Sequence, residues 1–494
     1  MSVLDIIKDK TLTYEQMVLA LARKSENSDV YIKKSETTKD FFDKKAFCDL
    51  FEGNAPYRPR YILPDYEKFF ENGSEFLGLE KPQNIWEATN NLLIFYKNVP
   101  SITTFPVYLG NIDYLLEPFV QDKGDAYLAI KLFLIHIDKT LTDSFVHANI
   151  GPLQTKAGKI ILEVMRELEL AVPNLTIKYD DEKTTDDFAI ECVKTALITA
   201  KPSFANDKMY SADFDNNYGI ASCYNGLMIG GGGFTLTRIN LNNLSDYATD
   251  SNDFIDNIIP LAVKEMATYI NMRIDFLVSC AFFKSNFLVK EGFIDINKFS
   301  GMLGVIGVAE CVNKLLKLNN QDERFGYSEK ANEYGVRIVE KIDVELRKYP
   351  SKHTKAFNGV SVLHAQVGIE TDEGTSPGAR IPVGEEPEIY DHILMSGPFH
   401  KYFTSGIGDI FVFDQTHEKN PEAILKIIKG AFESNLRYIS IYSTLCDVVR
   451  VTGYLIKRSE LAKLDKEQAV LNGATVLGKG ARDYGKALDR KKRY

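Results

Sequence analysis

The chain has 494 residues, 45% of them apolar and 26% charged, with a formal net charge of −9. Those values suit a soluble globular enzyme of two or three ordinary domains or one large barrel. They give no electrostatic footprint for nucleic acid, and no apolar run is long enough for a membrane crossing, so neither partner is expected. The first ten residues are charged and lack an apolar segment, so no secretory signal is expected and the location is read as cytoplasmic.

The first predicted helix starts at Thr13-Tyr14-Glu15-Gln16, which has capping-box spacing. Pro56, Pro59 and Pro64 mark an extended connector that closes an N-terminal helical region, residues 1–66. A helix is predicted over Asn84–Tyr96, then a β-branched and aromatic strand over Ile102–Tyr108. Amphipathic helices follow over Asp125–Thr140, Gln154–Leu170, Thr185–Ala200, Phe254–Phe283 and Ala331–Tyr349. Strands are predicted over Leu175–Lys178, Leu236–Leu241, Val360–Ile369, Ile410–Phe413 and Tyr438–Tyr442. The alternation implies an α/β body, residues 67–437, ahead of a C-terminal segment, 438–494.

Six scattered cysteines, Cys48, Cys192, Cys223, Cys280, Cys311 and Cys446, form no C-x-x-C pair, which argues against structural zinc or a redox dithiol. The seven histidines show no metal-ligand spacing, and no metal is expected. Three stretches stand out. Cys223 precedes four consecutive glycines, Gly230–Gly233. A phosphate cradle needs a following Lys-Ser or Lys-Thr and a helix, and neither is present. A flexible loop and a loop threading a tight interior both stay open. Ile369–Ser376 carries acidic residues, Glu373 among them, just past a predicted strand: a ligand mouth or a solvated turn. Arg450-Val451-Thr452-Gly453-Tyr454 sets a glycine between a β-branched residue and an aromatic, which on local grounds is a backbone hinge.

Taken with Cys223, the Arg450–Tyr454 stretch resembles the R-V-x-G-Y motif of glycyl radical enzymes. The cysteine loop with Leu236–Leu241, together with Phe105–Val120, Gly304–Leu315 and Glu373–Ser376, is similar to segments of anaerobic ribonucleotide reductases. The overall length and the ending Val476–Asp483 resemble the YjjI family of glycyl radical enzymes. The likeness covers most of the chain and is strongest from about Tyr210 onward.

The resemblance implies a ten-stranded α/β barrel of two five-stranded halves surrounded by helices. It implies a radical stored on Gly453 within Arg450, Val451 and Tyr454, and passed to Cys223, which takes a hydrogen atom from a small-molecule substrate. Asn240 and Glu373 match reductase positions and His147 is a further pocket candidate. The implied cofactor is the glycyl radical itself. S-adenosylmethionine and an iron–sulfur cluster belong to a separate radical-SAM activating enzyme, and a homodimer is among the expectations.

Departures from the family limit the substrate. Tyr224-Asn225 follows Cys223 where the eliminases carry a glutamate, Ser222 precedes it where pyruvate formate-lyase has a second cysteine, and the four-cysteine zinc site of the reductases is missing. The alternatives are a divergent anaerobic ribonucleotide reductase and a non-catalytic, radical-supplying relative.

Overall fold

The computed structural model describes residues 2–26, 32–49, 58–100, 106–141, 143, 145–319, 321–365, 374–451 and 453–493. Its strands are β1 (Phe47–Asp49), β2 (Tyr61–Leu63), β3 (His147–Ile150), β4 (Asn174–Tyr179), β5 (Ser203–Asn206), β6 (Tyr218–Ala221), β7 (Asn225–Met228) and β8 (Gly231–Asn240). Then come β9 (Phe299–Ile306), β10 (Val362–Ala365), β11 (Asp409–Phe413), β12 (Tyr438–Ser443), β13 (Val448–Val451), β14 (Tyr454–Lys457) and β15 (Lys492–Arg493).

Two large sheets carry the body. One has the order β1-β8-β9-β10, with β2 also on β8; the other runs β15-β11-β12-β5-β4-β3. The bridge His364↔Gly406 joins β10 to the segment leading into β11, and Asn111↔Asn149 adds a further extended segment beside β3. The neighbours then run 109–111, β3, β4, β5, β12, β11, β10, β9, β8, β2. β3, β4 and β5 are mutually parallel, as are β8, β9 and β10, and β11 and β12. The direction reverses at β5–β12 and again at β8–β2. The expected two halves are therefore present as two sets of opposite direction. Between β2 and 109–111 the Tyr66 hydroxyl donates to the Tyr108 carbonyl at 2.7 Å.

Helices cover the outside, and alternation along β8 and β9 tells which face they cover. Thr237 reaches Met266 of the helix Ile259–Ser279 at 2.8 Å, and Gly301 abuts Ile270 and Ile274 of the same helix. Arg238, Asn240, Met302 and Gly304 therefore project to the opposite, inner face, as does His364, in register with Gly304. Both faces being covered, every residue of β8, β9 and β12 is buried.

Several expectations change. The glycine run is not a flexible loop: Gly231–Gly233 open β8, paired with β2. A Cβ on Gly232 would sit 2.0 Å from the Tyr61 carbonyl oxygen, so the close approach of β2 requires glycine there. The strand predicted to end at Leu241 stops at Asn240, whose side chain caps the short helix Leu241–Leu244. The helix predicted from Phe254 begins with a π turn over Phe254–Ile258 and breaks after Ser279. Pro106–Tyr108 is not strand; pairing with β3 begins at Leu109, whose N–H reaches the His147 carbonyl at 2.8 Å. Residues 102–105 of that prediction, and 366–369 of the one beginning at Val360, lie outside the described residues. The capping box at Thr13 and Gln16 is formed, at 2.9 and 3.3 Å.

Candidate active site

Cys223 and Gly453 each occupy the tip of a β-hairpin. β6 and β7 pair up to Ala221↔Asn225, leaving the three-residue turn Ser222-Cys223-Tyr224, with Ser222 at φ 59°. β13 and β14 pair up to Val451↔Tyr454, and Gly453 lies at this tip, directly before Tyr454. Hairpin tips favour glycine, so the local hinge reading and the radical motif coincide at one position.

The cysteine hairpin is threaded through the interior. Its backbone bonds to both flanks: Ser222 N–H to the Val107 carbonyl at 3.0 Å and Gly226 N–H to the Ser405 carbonyl at 2.7 Å. Asn149 reads the Ile220 backbone in both directions, at 2.8 and 2.9 Å. A Cβ on Gly226 would lie 2.5 Å from the Tyr210 ring, so no side chain fits where the hairpin passes it. Cys223 is 4% exposed. Burial pushes its thiol pKa up, against the lowering effect of the Tyr224 amide and the charges of Arg380, Arg450 and Arg60. The group is held as S–H, the form that can give up a hydrogen atom, and not as a nucleophilic thiolate. Its Sγ lies 3.9 Å from Asn225 Oδ1.

His147 stands at the base of the turn. Its Nδ1 is 3.0 Å from the Ser222 carbonyl and its Nε2 2.7 Å from Thr176 Oγ1. The carbonyl only accepts, so Nδ1 carries the proton. Burial lowers its pKa to about 3, leaving the ring neutral. Thr176 contacts the Tyr438 hydroxyl at 2.8 Å, and that hydroxyl donates to the Cys223 carbonyl at 3.1 Å.

Arg450, only 1% exposed, connects the two turns. Its Nη1 donates to the Gly453 carbonyl at 3.4 Å, and its Nη2 to Asn174 Oδ1 at 3.1 Å and the Ala200 carbonyl at 3.0 Å. Asn174 Nδ2 then donates to the Ser222 carbonyl at 3.4 Å. One guanidinium and one amide therefore span from the glycine's own carbonyl to the residue before the cysteine. Arg490 secures Arg450 in turn, donating to its carbonyl at 3.2 Å. The Tyr454 ring packs edge-on to Phe145 at 5.5 Å, and Val451 is buried in the core.

The remaining candidates are placed differently. Asn240 faces inward, but its Oδ1 accepts from Asn243 N–H at 3.3 Å as a helix cap. Among the described residues no hydrogen bond joins it to the cysteine turn. Glu373 and Thr452 lie outside the described residues. Sequence reading did not single out Asn174, Tyr438 or Arg380, whose links to the two turns come from distant parts of the chain. Among the described residues no His, Cys, Asp and Glu cluster could hold a metal ion, and no helix is long and apolar enough to cross a membrane.

The model of the YjjI-like glycyl radical enzyme family matches residues 12–493. The chain is similar to an uncharacterised protein of Haemophilus influenzae, 42% identical over 99% of this chain and 97% of that one. It is also similar to the uncharacterised protein YjjI of Escherichia coli, 39% identical over 99% and 95%. Among solved structures it resembles the anaerobic ribonucleotide reductase of Thermotoga maritima, with a TM-score of 0.73, 13% identity and 93% of each chain covered. It likewise resembles hydroxyproline dehydratase of Clostridioides difficile, with a TM-score of 0.68, 12% identity, and 100% of this chain and 89% of that one covered. At such identities these two likenesses speak for the fold.

Proposed function

The chain belongs to the YjjI-like family of glycyl radical enzymes, and from that premise we propose that Gly453 stores the radical and Cys223 spends it on substrate. The observation that carries this reading is the Arg450–Asn174 bridge between the two hairpin turns. A glycine Cα radical is stabilised by its amide nitrogen, which donates electron density, and its carbonyl, which withdraws it. With no Cβ, the centre becomes planar without steric cost.

The steps balance as hydrogen-atom transfers. The Cys223 S–H bond breaks and a C–H bond forms at Gly453, leaving a sulfur radical. That sulfur takes a hydrogen atom from a substrate C–H bond, restoring S–H and leaving a carbon radical. After rearrangement the product radical takes the hydrogen back from Cys223, and Gly453 gives up its own to regenerate the store. No net electron enters or leaves the protein. Burial supports the scheme, because sulfur and glycyl radicals are destroyed by oxygen.

The initial radical is made by a separate radical-SAM activating enzyme, which supplies the iron–sulfur chemistry. Cys446 is the other thiol close in sequence to the glycine, but its Sγ bonds its own turn, to the Ser443 carbonyl at 3.1 Å and the Val448 carbonyl at 2.8 Å.

The test is anaerobic activation followed by electron paramagnetic resonance. The expected result is a doublet from a glycyl radical coupled to its α-proton, lost in Gly453→Ala. A competent activase that yields no signal from the wild-type chain would sink the reading.

A further inference from the structure

Around the cysteine turn the polar groups are unevenly matched. Arg380 is 8% exposed, and its guanidinium carbon lies 5.4 Å from the centre of the Tyr224 ring, the residue next to Cys223. Its Nε donates to the Gly408 carbonyl. Among the described residues no carboxylate lies within ion-pair distance of it, and its two terminal nitrogens have no hydrogen-bond partner. His364 sits 5.4 Å from the same Tyr224 ring, fully buried, with its Nδ1 unpartnered. Asn225, two residues past Cys223 and buried, has an unpartnered Nδ2. Tyr224 itself is fixed, its hydroxyl donating to the Ala365 carbonyl at 2.6 Å. Arg450, by contrast, has both terminal nitrogens engaged, by Gly453, Asn174 and Ala200, and only its Nε is unpartnered.

A buried cation with no ion-pair partner among the described residues is costly to a fold, and one ring contact and one carbonyl bond leave its fork unused. Buried polar atoms without partners ask for an explanation, and where several converge a bound group is one that satisfies them together. Three such groups, from three separated parts of the chain, gather at the residues flanking one thiol. The pair of terminal nitrogens on a guanidinium whose Nε is already committed forms a planar fork, the shape that matches a carboxylate.

We infer that the interior beside Cys223 binds a small carboxylate substrate, with Arg380 gripping the carboxylate and Asn225 and His364 supplying hydrogen bonds to its remaining polar groups. The inference deepens the radical reading by naming the substrate's chemical class, and Cys223 then faces a C–H bond of a molecule held at its acid end. The charges acting on the thiol agree: Arg380, Arg450 and Arg60 all bear on it. An anion there completes the electrostatics and adds no conflict.

The test uses the full-length, unactivated chain, so it is independent of whether any radical forms. Saturation-transfer NMR is run with acetate, glycolate, pyruvate, L-lactate and succinate, with their amides, and with glycerol phosphate. At least one carboxylate should bind, its amide at least tenfold more weakly. Arg380→Gln should weaken that carboxylate at least tenfold. Arg380→Lys, which keeps the charge and loses the fork, should retain a preference for acid over amide. Folding of each variant is checked by circular dichroism. Absence of binding by every carboxylate, equal binding of acids and amides by the wild type, tightest binding by glycerol phosphate, or unchanged binding in a folded Arg380→Gln would each overturn the inference. The wild-type comparison decides even if both variants misfold.

Discussion

The main chain of the hairpin ending in Cys223 is gripped from many sides: Ser222 and Gly226 bond carbonyls on either side, and the Asn149, His147, Asn174 and Tyr438 side chains bond its backbone. The hairpin ending in Gly453 is a two-stranded ladder of its own, tied at its tip by the Arg450 side chain and flanked by the helices Arg458–Leu464 and Gly473–Gly485. The first is built like part of the barrel interior. The second is docked beside it, and Leu445, just upstream, is 63% exposed. In the role proposed for Cys223, a thiol that meets one substrate geometry gains from a main chain fixed at many points. The second hairpin is no less buried, with Arg450, Val451, Leu455 and Ile456 all in the interior, but its tip is tied by one side chain.

That contrast can be broken most sharply at the two tips. Gly453→Ala should abolish the radical outright, whereas Cys223→Ser should keep the doublet at wild-type intensity and abolish turnover. Both are read by paramagnetic resonance and substrate assay after anaerobic activation. Turnover surviving in Cys223→Ser would pass the role to another thiol. In the wild type, air after activation should cut the chain at Gly453, visible as a shortened band on a denaturing gel.

Next in size is the link itself. Arg450→Lys keeps a charge but loses the fork that reaches Gly453, Asn174 and Ala200. Stability should fall by about 2–4 kcal/mol in denaturant unfolding, and the radical yield per chain severalfold. An unchanged yield would mean that the two turns do not depend on the bridge.

Acid should act through the cysteine side. His147 and His364 are both driven by burial from 6.5 to about 3. The unfolded chain takes up these protons near 6.5 and the folded chain does not, so the stabilisation is complete above 6.5 and is lost as pH falls toward 3. Each histidine contributes a slope of about 1.4 kcal/mol per pH unit in that window. Unfolding measured at pH 7.5 and 5.5 should reveal it, and His147→Gln should remove half of that pair's share. The smallest effect is expected from Tyr438→Phe, which costs the Cys223 carbonyl one donor, about 1 kcal/mol of stability, while leaving the glycyl signal intact.

The long amphipathic helices were legible because one face of each meets solvent, as in Lys156–Leu168 and Glu329–Leu346. β9 and the hairpin strands were not, because they are buried on both faces or only four residues long, and carry no period-2 alternation. The glycine run misled for a related reason: composition registers backbone freedom, whereas β8 uses those residues for the close approach of β2.

The sequence by itself determined the family, through the stretches around Cys223 and Arg450–Tyr454, because short contiguous motifs are legible without the fold. The chemistry proposed for them also asks for a dry interior. Only the tertiary structure decided how that interior is made. Arg450 bonds Asn174 across 276 positions of chain, and Tyr438 the Cys223 carbonyl across 215. Arg380 comes to rest against Tyr224 with no anion beside it among the described residues. Such contacts follow from strand order and register, which depend on the packing of the whole chain and leave no mark on local spacing.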